Sequence, residues 1–128
     1  MRVFIDSWAW IEYFVGSKYG EKVASIIENN ENEIFTCVLN ISEITSKIKR
    51  EGFDFEKCYK LILSHSKMVN VNLEICKESG FVHAEMKKKI RDFGLIDSFN
   101  LVLSKKLNAK IVTGDPHFKG MKEVIFVG

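Results

Sequence analysis

The sequence predicts an α/β protein: a three-layer α/β/α sandwich with a short, mostly parallel central sheet. Two observations predict it. Short β-prone runs recur at Arg2–Ile5, Glu33–Thr36, Val69–Val71, Lys110–Thr113 and Val124–Val127. Helix-period segments separate the first four of these runs, as parallel crossovers require. At 128 residues, with no repeat, low-complexity tract or linker, the chain reads as a single domain over 1–128.

The elements follow from local chemistry. Arg2–Ile5 is apolar and ends at Asp6, and Asp6 and Ser7 are good caps for a helix over Trp8–Phe14. Gly16 ends that helix. A second spans Tyr19–Glu28, with Val23, Ile26 and Ile27 on one face, and Asn29 and Asn30 stop it. After the second strand, Val38, Ile41, Ile44, Thr45 and Ile48 recur at helical spacing over Val38–Lys49, and Gly52 closes the segment. Asp54–Ser64 is the next helix, with Cys58, Leu61 and Ile62 inward. Beyond Val69–Val71, Leu73–Ile90 carries Ile75, Ser79, Val82, Met86 and Ile90 on one stripe. Leu95–Leu107 carries Leu95, Phe99, Val102 and Leu103. The last two strands complete the sheet.

Composition narrows the class. The 46% hydrophobic content supports an ordinary core, and a 28% charged fraction is normal for a soluble protein. Net charge is +2, from 19 basic and 17 acidic residues, and by itself gives no electrostatic case for a polyanion partner. The opening MRVFIDSW reads as a strand and not as a leader. No apolar run approaches the roughly 20 residues of a membrane helix. Cys37, Cys58 and Cys76 form no metal-finger spacing. They read as reduced thiols in a core or under a helix, in a cytoplasmic protein.

The chemistry sits in acids that border apolar segments: Asp6, Glu43, Asp97 and Asp115. Each has an ordinary explanation. Asp6 suits a helix cap, and Glu43 a solvated helix face shared with Asn40, Ser46 and Lys47. Asp97 is favoured by the helix dipole, and Asp115 before Pro116 suits a turn. Their joint placement carries more weight. Ligand sites of α/β sheets lie at strand ends, and carboxylates gathered there repel unless a hard divalent cation lies between them.

The segments around these acids resemble the motifs of PIN-domain ribonucleases, in particular the VapC-type toxins of toxin–antitoxin pairs. They are IDSWAWIEYF, LNISEI, GLIDSFNLVLSKKLNA and KIVTGDPHF. Between them, Phe53 to Arg91 matches only in helical character. The resemblance implies that Asp6, Glu43, Asp97 and Asp115 form an acidic Mg²⁺ or Mn²⁺ site. Ser7 and Thr113 fall where supporting hydroxyls are often found, and Asn100, one turn past Asp97, is a candidate second support. His117 occupies a variable position that is sometimes acidic. One tightly held metal is therefore the expectation, with a second arriving only alongside RNA.

The implied reaction is hydrolysis of single-stranded RNA by metal-activated water, leaving a 3′-hydroxyl and a 5′-phosphate. The cation lowers the pKa of bound water and neutralises charge on the phosphoryl oxygens, so no nucleophilic Ser, Cys or His is needed. The resemblance also implies a VapB-like antitoxin and a homodimer formed through first-half helices, with exposed aromatics at the contact.

Alternatives within the fold are a non-toxin RNA-processing PIN nuclease and a catalytically idle PIN-fold binding module. A phospho-receiver would need an acidic pair after the first strand and an Asp after the middle one. A haloacid-type phosphatase would need Asp-x-Asp where this chain has Asp6-Ser7-Trp8. Lys87, Lys88, Lys89 and Arg91 read as a solvated helix end more readily than as an RNA guide. Trp8, Trp10, Tyr13 and Phe14 read as core or interface more readily than as base-stacking platforms. His65, His83 and His117 suggest no metal cluster.

Overall fold

Each strand of the computed structural model, which describes residues 1–128, begins near a charged side chain and runs inward through apolar ones. The strands are β1 (Arg2–Ile5), β2 (Glu33–Cys37), β3 (Lys67–Val69), β4 (Lys110–Thr113) and β5 (Val124–Phe126). They form one sheet in the order β3-β2-β1-β4-β5. All the pairings are parallel, including Phe4↔Phe35 and Phe4↔Ile111.

The helices are α1 (Ser7–Val15), α2 (Lys18–Ile27), α3 (Val38–Glu51), α4 (Phe55–His65), α5 (Leu73–Lys89) and α6 (Leu95–Lys106). Sheet pleating sorts neighbouring residues to opposite faces. Val3, Ile5, Ile34 and Val112 pack under α1–α4, with Trp10, Val23, Ile44 and Ile62. Phe4, Phe35 and Ile111 face α5 and α6, with Ile75, Phe99, Val102 and Leu103. Burying a side chain such as Phe4 fully contributes about 2–3 kcal/mol, and Phe4 is 0% exposed. The three-layer sandwich follows directly.

Of the two expected caps for α1, Asp6 is the N-cap and Ser7 is the first helical residue. Asp6, Ser17, Asp54 and Asn72 each accept a backbone N–H at a helix start. Gly16 and Gly52 close α1 and α3 in the left-handed region.

Three expectations need correction. The third strand is Lys67–Val69, not Val69–Val71. Its register is set by pairing with β2, where Phe35↔Lys67 and Cys37↔Val69 align. As an edge strand it tolerates an exposed lysine, which an apolar-run criterion rejects. Cys37 and Cys58 are buried, but Cys76 is exposed on α5. The first-half aromatics are mostly packed: Trp10 is 0% exposed, and its indole N–H donates to Thr36 Oγ1 at 3.0 Å. The most exposed large apolar side chains lie instead on α5, Leu73 at 88% and Phe81 at 69%. No helix is long and apolar enough to cross a membrane.

The strand order positions a site. The chain winds outward from β1 through β2 to β3, then crosses back to β4 on the other side of β1. The carboxyl ends of β1 and β4 are therefore the switch point at which such sheets open a crevice.

Candidate metal centre

β1 delivers Asp6 to that crevice, and β4 delivers Thr113, Gly114 and Asp115. Asp6, Glu43, Asp97 and Asp115 all line one cleft of about 390 Å³, with Ser7, Trp8, Ile11, Glu12 and Lys47. Four carboxylates widely separated in sequence thus converge.

Each is held differently. Asp6 is 3% exposed and caps α1, its Oδ1 accepting the Ala9 N–H at 2.9 Å. Burial pushes its carboxyl up to about 7; the Thr113 hydroxyl and the Ala9 N–H oppose that rise, and Asp97 and Asp115 add to it. Asp97 stands in the first turn of α6. Burial is the main cause that raises it to about 6, followed by repulsion from Asp115 and Glu43, while the Gly94 N–H and His117 pull it down. Both shifts come mainly from burial, and the mutual repulsion of the acids adds to them.

Asp115 is fixed in a short 3-10 turn, Pro116–Phe118. Its backbone N–H donates to Thr113 Oγ1 at 3.1 Å, and its Oδ1 accepts the His117 N–H at 2.9 Å. The turn approaches α1 so closely that a Cβ on Gly114 would lie 2.2 Å from the Trp8 ring. Glu43 projects from α3, where Ser7 Oγ donates to its Oε1 at 2.7 Å. Ser7 in turn accepts from Asn40 Nδ2 at 2.8 Å.

Of the supporting candidates, Ser7 touches Glu43, and Thr113 touches Asp115 and faces Asp6. Asn100 is 0% exposed and does not line the cleft; neither of its amide atoms bonds to the protein. Sequence reading missed two residues. Asn40, on the same helical stripe as Glu43, is 1% exposed and anchors Ser7. His117, expected to be unremarkable, has a ring nitrogen close to the acids. One ligand atom each from Asp97, Asp115 and His117 lies within 4.8 Å of the others. The signal for Asn40 was its position one turn before Glu43. For His117 it was the turn that Asp115 and Pro116 impose.

The donor set fits a hard divalent cation. It is rich in carboxylate oxygens, as Mg²⁺ and Mn²⁺ require. The one cation lining the cleft, Lys47, is ion-paired to Glu51 at 2.9 Å.

Comparisons place this geometry among known folds. A family model described as PIN domain matches residues 3–124. No curated protein matches the sequence. Among solved structures, a toxin–antitoxin complex from Klebsiella pneumoniae superposes with a TM-score of 0.75 at 18% identity, covering 98% of each chain. VapC20 of Mycobacterium tuberculosis, described as a Sarcin-Ricin loop cleaving toxin, gives a TM-score of 0.75 at 13% identity, over 95% of this chain and 98% of that one. VapBC2 from Rickettsia felis, bound to a DNA fragment from its promoter, gives 0.72 at 15% identity, over 98% and 97%. At these identities the likeness is one of fold. With nearly its whole length matched by the family model, the chain belongs to the PIN domain family.

Proposed function

We propose that this protein is a metal-dependent endoribonuclease that hydrolyses single-stranded RNA, the toxin of a toxin–antitoxin pair with a VapB-like partner. The observation that carries the reading is the convergence of Asp6, Glu43, Asp97 and Asp115 on one cleft whose only lining cation is engaged elsewhere. The folds of the Klebsiella toxin–antitoxin complex and of the Sarcin-Ricin loop cleaving toxin support the toxin assignment.

Asp6, Asp97 and Asp115 would hold Mg²⁺ or Mn²⁺, directly or through water. Such a cation supplies a lowered pKa for bound water and charge neutralisation at the phosphoryl group. The side chains do the rest. The Ala9 N–H fixes Asp6, and the Thr113 hydroxyl and His117 N–H fix Asp115, so little reorganisation is needed when substrate arrives. Ser7 engages Glu43 Oε1 and leaves Oε2 to orient the attacking water and accept its proton. The uncompensated acids would repel an RNA backbone, so productive binding requires the cation.

The test is cleavage of a panel of RNAs with Mg²⁺ or Mn²⁺. Asp6→Asn and Asp97→Asn are expected to lower the rate by about 100-fold or more, the scale of losing an oriented electrostatic group. Undiminished cleavage in both variants would remove the assignment. Relief of growth arrest by a co-expressed small neighbouring protein would test the antitoxin partnership.

A further inference from the structure

His117 is the one nitrogen donor among the acids, and its two ring nitrogens have different neighbours. Nε2 lies 3.2 Å from Asp92 Oδ1, and Nδ1 lies 3.6 Å from Asp115 Oδ1. Asp92 stands outside the cleft, between α5 and α6, and its side chain is 82% exposed. A carboxylate at Nε2 keeps the proton on that nitrogen and turns the Nδ1 lone pair to the opposite side, toward Asp115 and Asp97. Imidazoles that bind metal commonly give the far N–H to a carboxylate; here Asp92 faces Nε2 as a charge contact at 3.2 Å, without a formed hydrogen bond.

Other contacts restrict the ring. Phe93, itself 1% exposed, stands tilted against it at a centroid distance of 6.2 Å. The His117 backbone N–H is tied to Asp115 Oδ1 at 2.9 Å. The 3.6 Å between Nδ1 and Oδ1 is too long for a good hydrogen bond. It suits two ligand atoms facing a common centre. The three ligand atoms lie within 4.8 Å of one another; bonds of about 2.2 Å set neighbouring ligand atoms about 3 Å apart, so closing on one cation takes side-chain movements of up to about 1–2 Å.

We propose that His117 Nδ1 is a ligand of the divalent cation held by Asp97 and Asp115, with Asp92 orienting the ring, so that the centre is a mixed nitrogen–oxygen site selective for Mn²⁺ over Mg²⁺. This rests on the metal-dependent reading above. Imidazole suits transition ions, whereas Mg²⁺ favours an all-oxygen set. His117 is thus a specificity-determining ligand, and Asp92 is a positioning residue.

The experiment is pulsed electron paramagnetic resonance on the Mn²⁺-loaded full chain, paired with calorimetric titration of Mn²⁺ and Mg²⁺. The wild type should show electron-spin-echo modulation from one directly bound ¹⁴N. His117→Ala should lose it and bind Mn²⁺ about 10-fold more weakly, while Mg²⁺ affinity changes less. His117→Asp should lose it too and shift preference toward Mg²⁺. Asp92→Asn should keep the ¹⁴N coupling and weaken Mn²⁺ by about 10-fold, the usual effect of removing a ligand's carboxylate partner. Mn²⁺ bound to the wild type without ¹⁴N coupling overturns the His117 assignment and leaves the acidic metal site standing. A wild type that binds no Mn²⁺ overturns both. The decisive spectrum comes from the wild type, so it does not depend on how well any variant folds.

Discussion

The two ends of the sheet treat carboxylates in opposite ways. At the amino end, Glu33 opens β2 between Arg2 of β1 and Lys67 of β3, and it bonds to both, at 3.1 and 2.7 Å. The Lys67 and Arg2 partners hold its carboxyl below the usual range. At the carboxyl end, Asp6 follows β1 with no cation beside it, buried, and raised to about 7. Asp97, partly buried, is raised to about 6 for the same main reason. The same short sheet thus neutralises an exposed acid at one end and leaves buried acids to repel at the other. A buried cluster of mutually repelling acids without a compensating cation is a candidate functional site.

The contrast yields predictions of falling size. Largest is the pH dependence of the metal-free protein. Asp6 and Asp97 have folded pKa values of about 7 and about 6, above the ordinary aspartate value of 3.8. The folded state therefore binds more protons than the unfolded state between these limits, and stability falls as pH rises through roughly 4 to 7. Between pH 5 and pH 8 the loss is on the order of 4 kcal/mol for the pair, since one extra proton held across one unit of pH is worth about 1.4 kcal/mol. Denaturant melts at those two pH values check it. Asp6→Asn, which keeps a capping side chain, should remove much of the slope.

Next is Gly114→Ala. Its Cβ would overlap the Trp8 ring, which should cost about 1–3 kcal/mol as overpacking and lower activity by displacing Asp115. Thermal unfolding and RNA cleavage measure the two effects. Ser7→Ala should cost about 1–2 kcal/mol, because it strands the buried Asn40 amide, and it should slow cleavage by releasing Glu43. Smallest is Glu33→Gln. It should barely move the melting temperature near neutrality, since exposed ion pairs contribute little. Its residual pH trend should have the opposite sign: a depressed carboxyl stabilises above its unfolded pKa, and that contribution fades as pH falls. If Glu33→Gln and Asp6→Asn altered the pH profile in the same direction, the contrast between the two ends would fail.

The layered fold was legible because its signals are local. Arg2–Ile5 and Lys110–Thr113 are short apolar runs bounded by acids or glycine, and both strands form with those limits. Gly16 and Gly52 end their helices through positive φ, a property of the residue itself. What depended on distant partners was not legible. The position of β3 is fixed by its ladder with β2, not by its own composition. Asn40 looks like a solvated helix residue until the fold buries it against Ser7. His117 gains meaning only because the turn after β4 brings it to Asp92, in the connection between α5 and α6. Asp6, Asp97 and Asp115 were legible because each sits where a strand or helix begins or ends, whereas Glu43 lies inside α3. Such ends are where topology brings remote segments together.

The central claim is that the carboxyl-end acids hold a divalent cation and do more than cap helices. It is tested most directly by thermal unfolding of wild type and Asp97→Asn with and without Mg²⁺ or Mn²⁺. Metal should raise the melting temperature of the wild type in a concentration-dependent way. Metal-free Asp97→Asn should be as stable as the wild type or more so, with little response to metal. A clear loss of metal-free stability in Asp97→Asn, together with a wild type that ignores both cations, would contradict the account and return Asp97 to the role of a helix-end carboxylate.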